Sequence, residues 1–369
     1  MRELSSYERV RNTLDKKPVD EIAFTIDPWP ETIKKWQTEG HFAKKDIEDW
    51  WLHFKQDIMA AGWLNSTADL DFEPRVLEET DDTILKVDGN GATLRTHKKY
   101  SRTPEHVNFV AKDRIGWEKH IKPHLFGVDG RRIPLEEYKK RRTIATEKQL
   151  FFCWHGEGPF EQIHSICGHE DMLMGMTLDP DWVRDMVMTY TELTIRHLEL
   201  LFNEAGQPDG FWLYEDMGFK NKPFMSLTMY EDIVQLGHKR FFDFAHSIGC
   251  KVIVHSCGFV EPLVPGLITA GMDCLQAMEV KAGMDMPHLF KLFGDKIAFF
   301  GNIDARALIT NDYKIIDEEL TKKIVPVVSH SGSYILHTDH SEPPEIKYDT
   351  MWHFIRRGKE IAKEAASKK

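Results

Sequence analysis

The chain of 369 residues carries 59 Asp and Glu side chains against 48 Lys and Arg, which gives a formal net charge of −11 at pH 7. This acidic balance, without a basic run among aromatic residues, argues against a nucleic-acid partner. No apolar stretch approaches the ~20 residues of a membrane-spanning helix, and no secretory signal is evident at the N-terminus. The five cysteines are odd in number and lie in or beside apolar runs, as reduced thiols do. We therefore expect a cytoplasmic protein with neither a nucleic-acid nor a membrane partner.

The first part of the chain, residues 1–145, predicts N-terminal helices, the first strands and an insertion. Helical spacing indicates helices over residues 3–15, 31–40 and 46–60, the first with Ser5 or Ser6 as its cap. Residues 21–26 read as a strand that ends at Asp27-Pro28. Residues 83–95 form two extended runs around a glycine-rich turn, which predicts a β-hairpin. We interpret this hairpin as an insertion into a repeated strand-helix pattern.

From about residue 146 the chain alternates short apolar runs with helical stretches, as repeated βα units do. Six strands are predicted, at residues 150–155, 210–214, 251–254, 274–278, 297–300 and 333–336. Polar residues follow each of them, and in a parallel barrel all these ends meet at one face, where active sites lie. No G-x-G-x-x-G follows a strand, which disfavours an open doubly wound sheet. The prediction is a single domain over residues 1–369: a (βα)8 TIM barrel with an N-terminal helical extension and a β-hairpin insertion, its main repeats spanning 146–369.

The strongest chemical signal is His255-Ser-Cys257, at the end of the run that begins at Lys251. Strand residues two apart project to the same side, so the imidazole and the thiol form a two-point chelate. Neutral imidazole and thiolate suit zinc, and a catalytic zinc needs one more protein ligand and an open position. A buried histidine beside an inert cysteine is the alternative.

Residues 252–258, together with Gly271-Met-Asp273, Gly301-Asn302-Ile-Asp304 and residues 332–344, resemble the uroporphyrinogen decarboxylase superfamily. The opening residues 7–14 also resemble the family's N-terminal helix. The decarboxylases of this superfamily hold a tetrapyrrole with an arginine-rich stretch near the N-terminus, where this chain has Asp27-Pro28-Trp29-Pro30. The other branch comprises zinc-dependent methyltransferases that carry a His-x-Cys pair. The resemblance to that branch implies methyl transfer between cobalamin on a partner corrinoid protein and a small-molecule donor, or a thiol or tetrahydrofolate acceptor.

The same resemblance implies a Zn²⁺ held by His255, Cys257 and His340, although the methyltransferases typically have cysteine where this chain has His340. Zinc accepts two histidines and one cysteine, so the metal is expected to survive that change. Glu215 and Glu279 are the next candidates for the third ligand, and His337 and Asp339 are near alternatives. A metal-free decarboxylase acting on a carboxylic acid remains the second hypothesis, and a non-catalytic binding protein the third.

The other polar strand ends supply candidates for catalysis and substrate binding. Glu215 and Asp216 are the candidate catalytic residues, as a further zinc ligand, a partner of a ligand histidine or a general acid, with helix capping as the alternative. The candidate substrate-binding residues are His155, Glu157, Glu279, Asn302 and Asp304. For Glu279 the alternative is an ion pair with Lys281, and for Asn302 and Asp304 it is a turn.

Overall fold

The computed structural model describes residues 2–42, 50–99, 104–330 and 333–367. Twelve strands lie within these ranges and divide into two sheets. In chain order they are β1 (Ala23–Phe24), β2 (Ile58–Ala61), β3 (Arg75–Glu79), β4 (Thr83–Val87), β5 (Ala92–His97), β6 (Glu105–Phe109), β7 (Phe151–Glu157), β8 (Gly210–Tyr214), β9 (Lys251–Ser256), β10 (Cys274–Ala277), β11 (Ala298–Gly301) and β12 (Tyr334–Leu336).

Eight of these strands form one parallel sheet, in the order β1-β12-β11-β10-β9-β8-β7-β2. The sheet curls until β1 approaches β2, where the backbone N–H of Asp57 donates to the carbonyl of Phe24 at 3.0 Å. Side chains of one strand face point inward and pack together, such as Cys153, Ile253 and Phe300. Those of the other face pack beneath the helices. This is the predicted (βα)8 barrel.

Helices surround the barrel. The helices are α1 (Ser6–Leu14), α2 (Pro30–Thr38), α3 (Trp50–His53), α4 (Arg114–His120), α5 (Leu135–Lys148), α6 (Pro159–Leu178), α7 (Pro180–Ala205), α8 (Leu227–Met229), α9 (Gln235–Ser247), α10 (Val264–Ala270), α11 (Met286–Phe293), α12 (Ala305–Ile309), α13 (Tyr313–Val328) and α14 (Tyr348–Ala366). Short 3₁₀ turns occupy Lys122–Leu125, Gly130–Arg132 and Glu261–Leu263, and a π turn, Tyr230–Val234, precedes α9. None of the helices in the described ranges is both long and apolar enough to cross a membrane.

Helix α1 begins at a capping box, in which Ser5 Oγ accepts from the Glu8 N–H and Glu8 Oε2 accepts from the Ser5 N–H. Ser5, one of the two predicted caps, is therefore the cap. Arg9 fastens this helix to the barrel, because its guanidinium donates to Asp20 at 2.9 and 3.0 Å and to the buried Asp57 at 2.8 Å. The extension is thus held to the barrel by a charged network.

The insertion is larger than the predicted hairpin. β4 and β5 pair antiparallel as expected, and β3 and β6 extend them to a four-stranded sheet. Every residue of β3 is exposed. This strand therefore lacks the alternation of apolar and polar residues from which a half-buried strand is predicted. The sheet packs against α6, where Phe109 of β6 lies against Gly168.

The predicted helix over residues 46–60 is wrong in its second half. Residues 43–49 lie outside the described ranges, α3 ends at His53, and Ile58–Ala61 is barrel strand β2. The spacing of the apolar residues in this segment is compatible with a helix or with a strand. The segment forms a strand because it pairs with β7 and so completes the barrel.

Candidate metal centre

Three side chains at the C-terminal ends of β8 and β9 converge at the mouth of the barrel. Ligand atoms of Asp216, His255 and Cys257 all lie within 4.8 Å of one another. His255 Nε2 is 3.3 Å from Cys257 Sγ and 3.4 Å from Asp216 Oδ1. The same Asp216 oxygen accepts from the backbone N–H of Cys257 at 2.8 Å, which fixes the carboxylate beside the thiol. The expected imidazole-thiol pair is therefore present, with a carboxylate beside it.

The orientation of the His255 ring is set by Gln276, inside β10. Gln276 Oε1 accepts from the indole N–H of Trp212 at 3.2 Å, and an indole nitrogen only donates, so the amide oxygen faces this way. The same oxygen lies 2.5 Å from His255 Nδ1. That nitrogen must therefore carry a proton, which leaves Nε2 to face Cys257 and Asp216. Metal-binding histidines are oriented by such an acceptor on the other ring nitrogen.

His340 and Glu279 lie next to each other at the barrel mouth. His340 Nδ1 is 3.5 Å from Asp339 Oδ1 and its Nε2 is 3.8 Å from Glu279 Oε1. Among the described residues, His340 does not belong to the group of ligand atoms within 4.8 Å of one another that Asp216, His255 and Cys257 form. Glu279 Oε2 accepts from the backbone N–H of Gly258 at 2.9 Å. Gly258 has φ +76°, a conformation that favours glycine, and its N–H is thereby aimed at the carboxylate. Asp339 is fully engaged, since its oxygens accept from the backbone of Val280 and Ala305.

The charges of the cluster favour a thiolate. Burial alone would raise the pKa of Cys257, but the neighbouring His255 and His340 outweigh it and hold the pKa below its ordinary value. Burial likewise opposes a charged His255, yet Asp216 and Cys257 raise its pKa well above the usual range. Contacts with Asp339 and Cys257 raise the pKa of His340 to about 10. Cysteine binds metals as the thiolate, so this environment suits a ligand.

Glu215 does not face this cluster. It is completely buried on the opposite side of its strand end, where Oε1 accepts from His238 Nε2 at 2.7 Å and from the Phe160 N–H at 3.2 Å. Its Oε2 accepts from the Glu161 N–H at 2.8 Å. Glu215 thus caps the first turn of α6, which is the alternative role named for it in the sequence analysis. Its neighbour Asp216 points into the mouth of the barrel.

His155 lies on a cavity of about 140 Å³ at the barrel mouth. Tyr214 and Trp212 line the same cavity, and the Tyr214 ring also contacts the His255 ring, with centroids 4.7 Å apart. Burial lowers the pKa of His155 to about 4, so the imidazole is neutral near pH 7. A larger cavity, about 550 Å³, lies at the opposite ends of β7 and β8, beside Leu150 and Asp209.

The other candidate substrate residues make contacts within the protein. Glu157 Oε2 accepts from Ser66 Oγ at 2.9 Å. The amide of the fully buried Asn302 joins Met278, Met284, Met286 and Lys323. Asp304 caps α12 and pairs with Arg306 at 2.7 Å. His337, a near alternative for the third zinc ligand, is buried, with its Nδ1 2.5 Å from the Thr338 carbonyl oxygen. Asn302 and Asp304 therefore shape the loops around the mouth.

Two residues of this site escaped sequence reasoning. Gln276 stands within an apolar strand, and a lone polar residue at such a position is the signal that could have identified it. Tyr214 is the last residue of β8, and in the sequence it looks like an aromatic residue of the core. Its contact with His255 in the structure shows that it belongs to the site.

The fold and the cluster define an eight-stranded parallel α/β barrel with a thiolate, imidazole and carboxylate group at its C-terminal mouth. The chain belongs to the uroporphyrinogen decarboxylase (URO-D) family, whose family model matches residues 150–361. The family resemblance read from the sequence is thereby confirmed.

One solved structure shares the overall fold of this chain. A methyltransferase from Methanosarcina mazei is similar over 97% of this chain and 99% of its own, with a TM-score of 0.65 and 13% sequence identity. A Xaa-Pro dipeptidase with bound methionine covers 62% of this chain and 59% of its own at a TM-score of 0.32 and 15% identity, too low to indicate a shared fold. No curated protein sequence matches the chain.

Proposed function

We propose that this protein is a zinc-dependent methyltransferase that moves a methyl group between a corrinoid (cobalamin) protein and a small-molecule donor, or a thiol or tetrahydrofolate acceptor. The observation that carries the proposal is the cluster of Asp216, His255 and Cys257 at the barrel mouth, with His255 Nε2 aimed into it by Gln276. Membership of the URO-D family and the fold shared with the Methanosarcina mazei methyltransferase support it.

The residues present fit zinc. Imidazole nitrogen, thiolate sulfur and carboxylate oxygen are its usual ligands. His255 and Cys257 form the pair, and His340, beside Glu279 and Asp339, is the third ligand expected from the family resemblance. Asp216 lies near enough to act as a fourth. When bound, zinc supplies a Lewis acid that holds a thiol as its thiolate or draws charge from the leaving atom of a methyl donor.

The chain's own groups then position the reactants. Gln276 keeps the proton on His255 Nδ1, so Nε2 remains directed at the cluster. Tyr214 lines the 140 Å³ cavity and its ring contacts the His255 ring, so a small molecule bound in that cavity would be separated from the cluster by this one side chain. Holding donor and acceptor in line can supply a large part of the rate of such a transfer, and the corrinoid domain would present its cofactor at the barrel mouth.

A metal-free decarboxylase of a small carboxylic acid is the second candidate. The observation that favours it is Arg141, which lines the same cavity as His155 and offers a cation to a carboxylate. The volume of that cavity falls below the range of about 300–1,000 Å³ usual for drug-sized ligands, which disfavours a tetrapyrrole.

Metal content by mass spectrometry tests the proposal, together with demethylation of methylcobalamin in the presence of candidate thiols. We expect Cys257→Ser, His255→Ala and His340→Ala each to lose one zinc per chain relative to wild type, and to lose transfer activity. His288→Ala, which removes an exposed histidine paired with Glu261, is the matched control and should retain both. Wild-type protein that binds no zinc even when supplied with it, and transfers no methyl group, would refute the proposal.

A further inference from the structure

A second group of histidines lies outside the centre described above. Ligand atoms of His106, His164 and His169 all lie within 4.8 Å of one another. The rings of His164 and His169 stack with centroids 4.3 Å apart and planes 19° apart, and the His106 ring lies 6.1 Å from that of His164. His106 belongs to β6 of the inserted sheet, whereas the other two belong to α6.

The kink in α6 creates this group. Residues five apart on a regular helix point about 140° away from each other, so His164 and His169 would not meet. At Gly168 the backbone leaves the helical conformation, with φ 72° and ψ 163°, and the two rings come together. A Cβ at Gly168 would lie 2.5 Å from the Phe109 ring, so the inserted sheet packs directly against the kink. The sheet thus supplies one histidine and braces the other two.

The hydrogen bonding of His164 leaves one of its ring nitrogens available to bind a metal. Its Nε2 lies 2.7 Å from Glu161 Oε1, and a carboxylate accepts, so the ring proton belongs on Nε2. Its Nδ1 is buried and has no hydrogen-bond partner. A buried nitrogen left unpaired is unfavourable, and a metal ion on the lone pair would satisfy it. A carboxylate behind a histidine whose other nitrogen binds metal is the usual arrangement in zinc proteins.

We propose that His106, His164 and His169 form a second binding site for a divalent transition metal of the zinc class. Three imidazole nitrogens suit zinc, copper or nickel, and leave a fourth position for water or a small ligand. The metal would fasten the four-stranded inserted sheet to α6. Glu161 also accepts from the Asp216 N–H through Oε2 at 3.1 Å, so the site adjoins the barrel mouth.

The test uses full-length protein that carries His255→Ala and Cys257→Ser, so that the first centre does not contribute. Titration with Co²⁺, followed by its visible absorption, should show one bound ion per chain without a thiolate-to-cobalt charge-transfer band. Adding His106→Ala or His169→Ala to this background should weaken binding at least tenfold. His120→Ala, an exposed histidine on α4, is the matched control and should bind as the background does.

Thermal unfolding gives a readout that is independent of activity. Because a ligand that binds only the folded state stabilises it, zinc should raise the Tm of the background protein and leave that of the His106→Ala derivative unchanged. His106 is only half-buried, and equal Tm values in chelator would show that its removal leaves the fold intact. Failure of the background protein to bind Co²⁺, or binding that survives both histidine substitutions, would overturn the proposal. Neither result bears on the first centre.

Discussion

His255 and Gln276 stand opposite each other on neighbouring parallel strands, as register partners of β9 and β10. The register brings the amide oxygen to within 2.5 Å of Nδ1, and the Trp212 indole holds the amide in that orientation. The geometry of the candidate metal centre therefore depends on a strand that contributes no ligand.

Gln276→Ala should weaken zinc binding at the first centre, because His255 loses the acceptor that orients it. Losses of about 10–100-fold are typical for such partners. Gln276→Glu keeps an acceptor for both Nδ1 and the Trp212 N–H, and should retain much more of the affinity. Competition with a chromophoric chelator measures the constants. Equal affinities of wild type and the alanine variant would show that Gln276 does not orient the ring.

Glu215→Gln should destabilise the protein without removing metal. The amide nitrogen would face a backbone N–H or His238 in a site with no solvent, at a cost of about 2–4 kcal/mol in the free energy of unfolding. Urea denaturation and metal content measure the two effects separately. Glu192→Gln, in an exposed pair with Arg240, is the control and should change neither. Loss of zinc with unchanged stability would instead make Glu215 a ligand.

Glu342→Gln should leave stability at pH 7 within about 1 kcal/mol of wild type, or raise it. Thr338 has one hydroxyl proton and gives it to the His340 carbonyl at 2.7 Å, so the equally short contact with Glu342 Oε1 requires a protonated carboxyl. Burial raises the pKa of Glu342 to about 8, in agreement. Glutamine donates to Thr338 and accepts from the Asp27 N–H as that carboxyl does.

Glu342→Ala is the contrasting variant. It leaves the Asp27 N–H without its acceptor and opens a cavity, and should cost about 2–4 kcal/mol in the free energy of unfolding. Chemical denaturation of both variants at pH 7 measures the difference. A glutamine variant as unstable as the alanine one would indicate that a charged carboxylate is required here.

Acid should weaken the attachment of α1 through Asp20. Burial opposes its charge, but the hydrogen bonds from Arg9 outweigh it and lower the pKa of Asp20 to about 2. A carboxyl whose pKa is lower in the folded state stabilises the fold above its unfolded value, near 3.8, and that contribution is lost as the pH falls towards 2. The shift corresponds to about 2 kcal/mol.

Asp20→Asn should therefore be less stable than wild type by about 2 kcal/mol at pH 6, and the difference should shrink between pH 4 and pH 2. Urea denaturation across that range measures it. Asp243→Asn, in an exposed pair with Lys239, is the control and should show a difference of less than about 1 kcal/mol throughout. A gap for Asp20→Asn that stays constant with pH would contradict the linkage to Arg9.

The sequence by itself determined the barrel class, seven of its eight strands, the URO-D family and the pairing of His255 with Cys257. These depend on patterns within a few residues, such as the alternation of a strand and polar residues where an apolar run stops. The adjacency of His255 and Cys257 needed no knowledge of the rest of the chain.

The tertiary structure alone decided which of two adjacent carboxylates faces the mouth, because neighbouring residues alternate sides and nothing local tells inside from outside at Glu215 and Asp216. It also assigned Ile58–Ala61 to a strand, since closing the barrel requires a partner for β7. Gln276 reaches His255 through strand register, and His164 meets His169 through a kink that the inserted sheet braces. Each of these depends on contacts between distant segments, which form only when the whole chain folds.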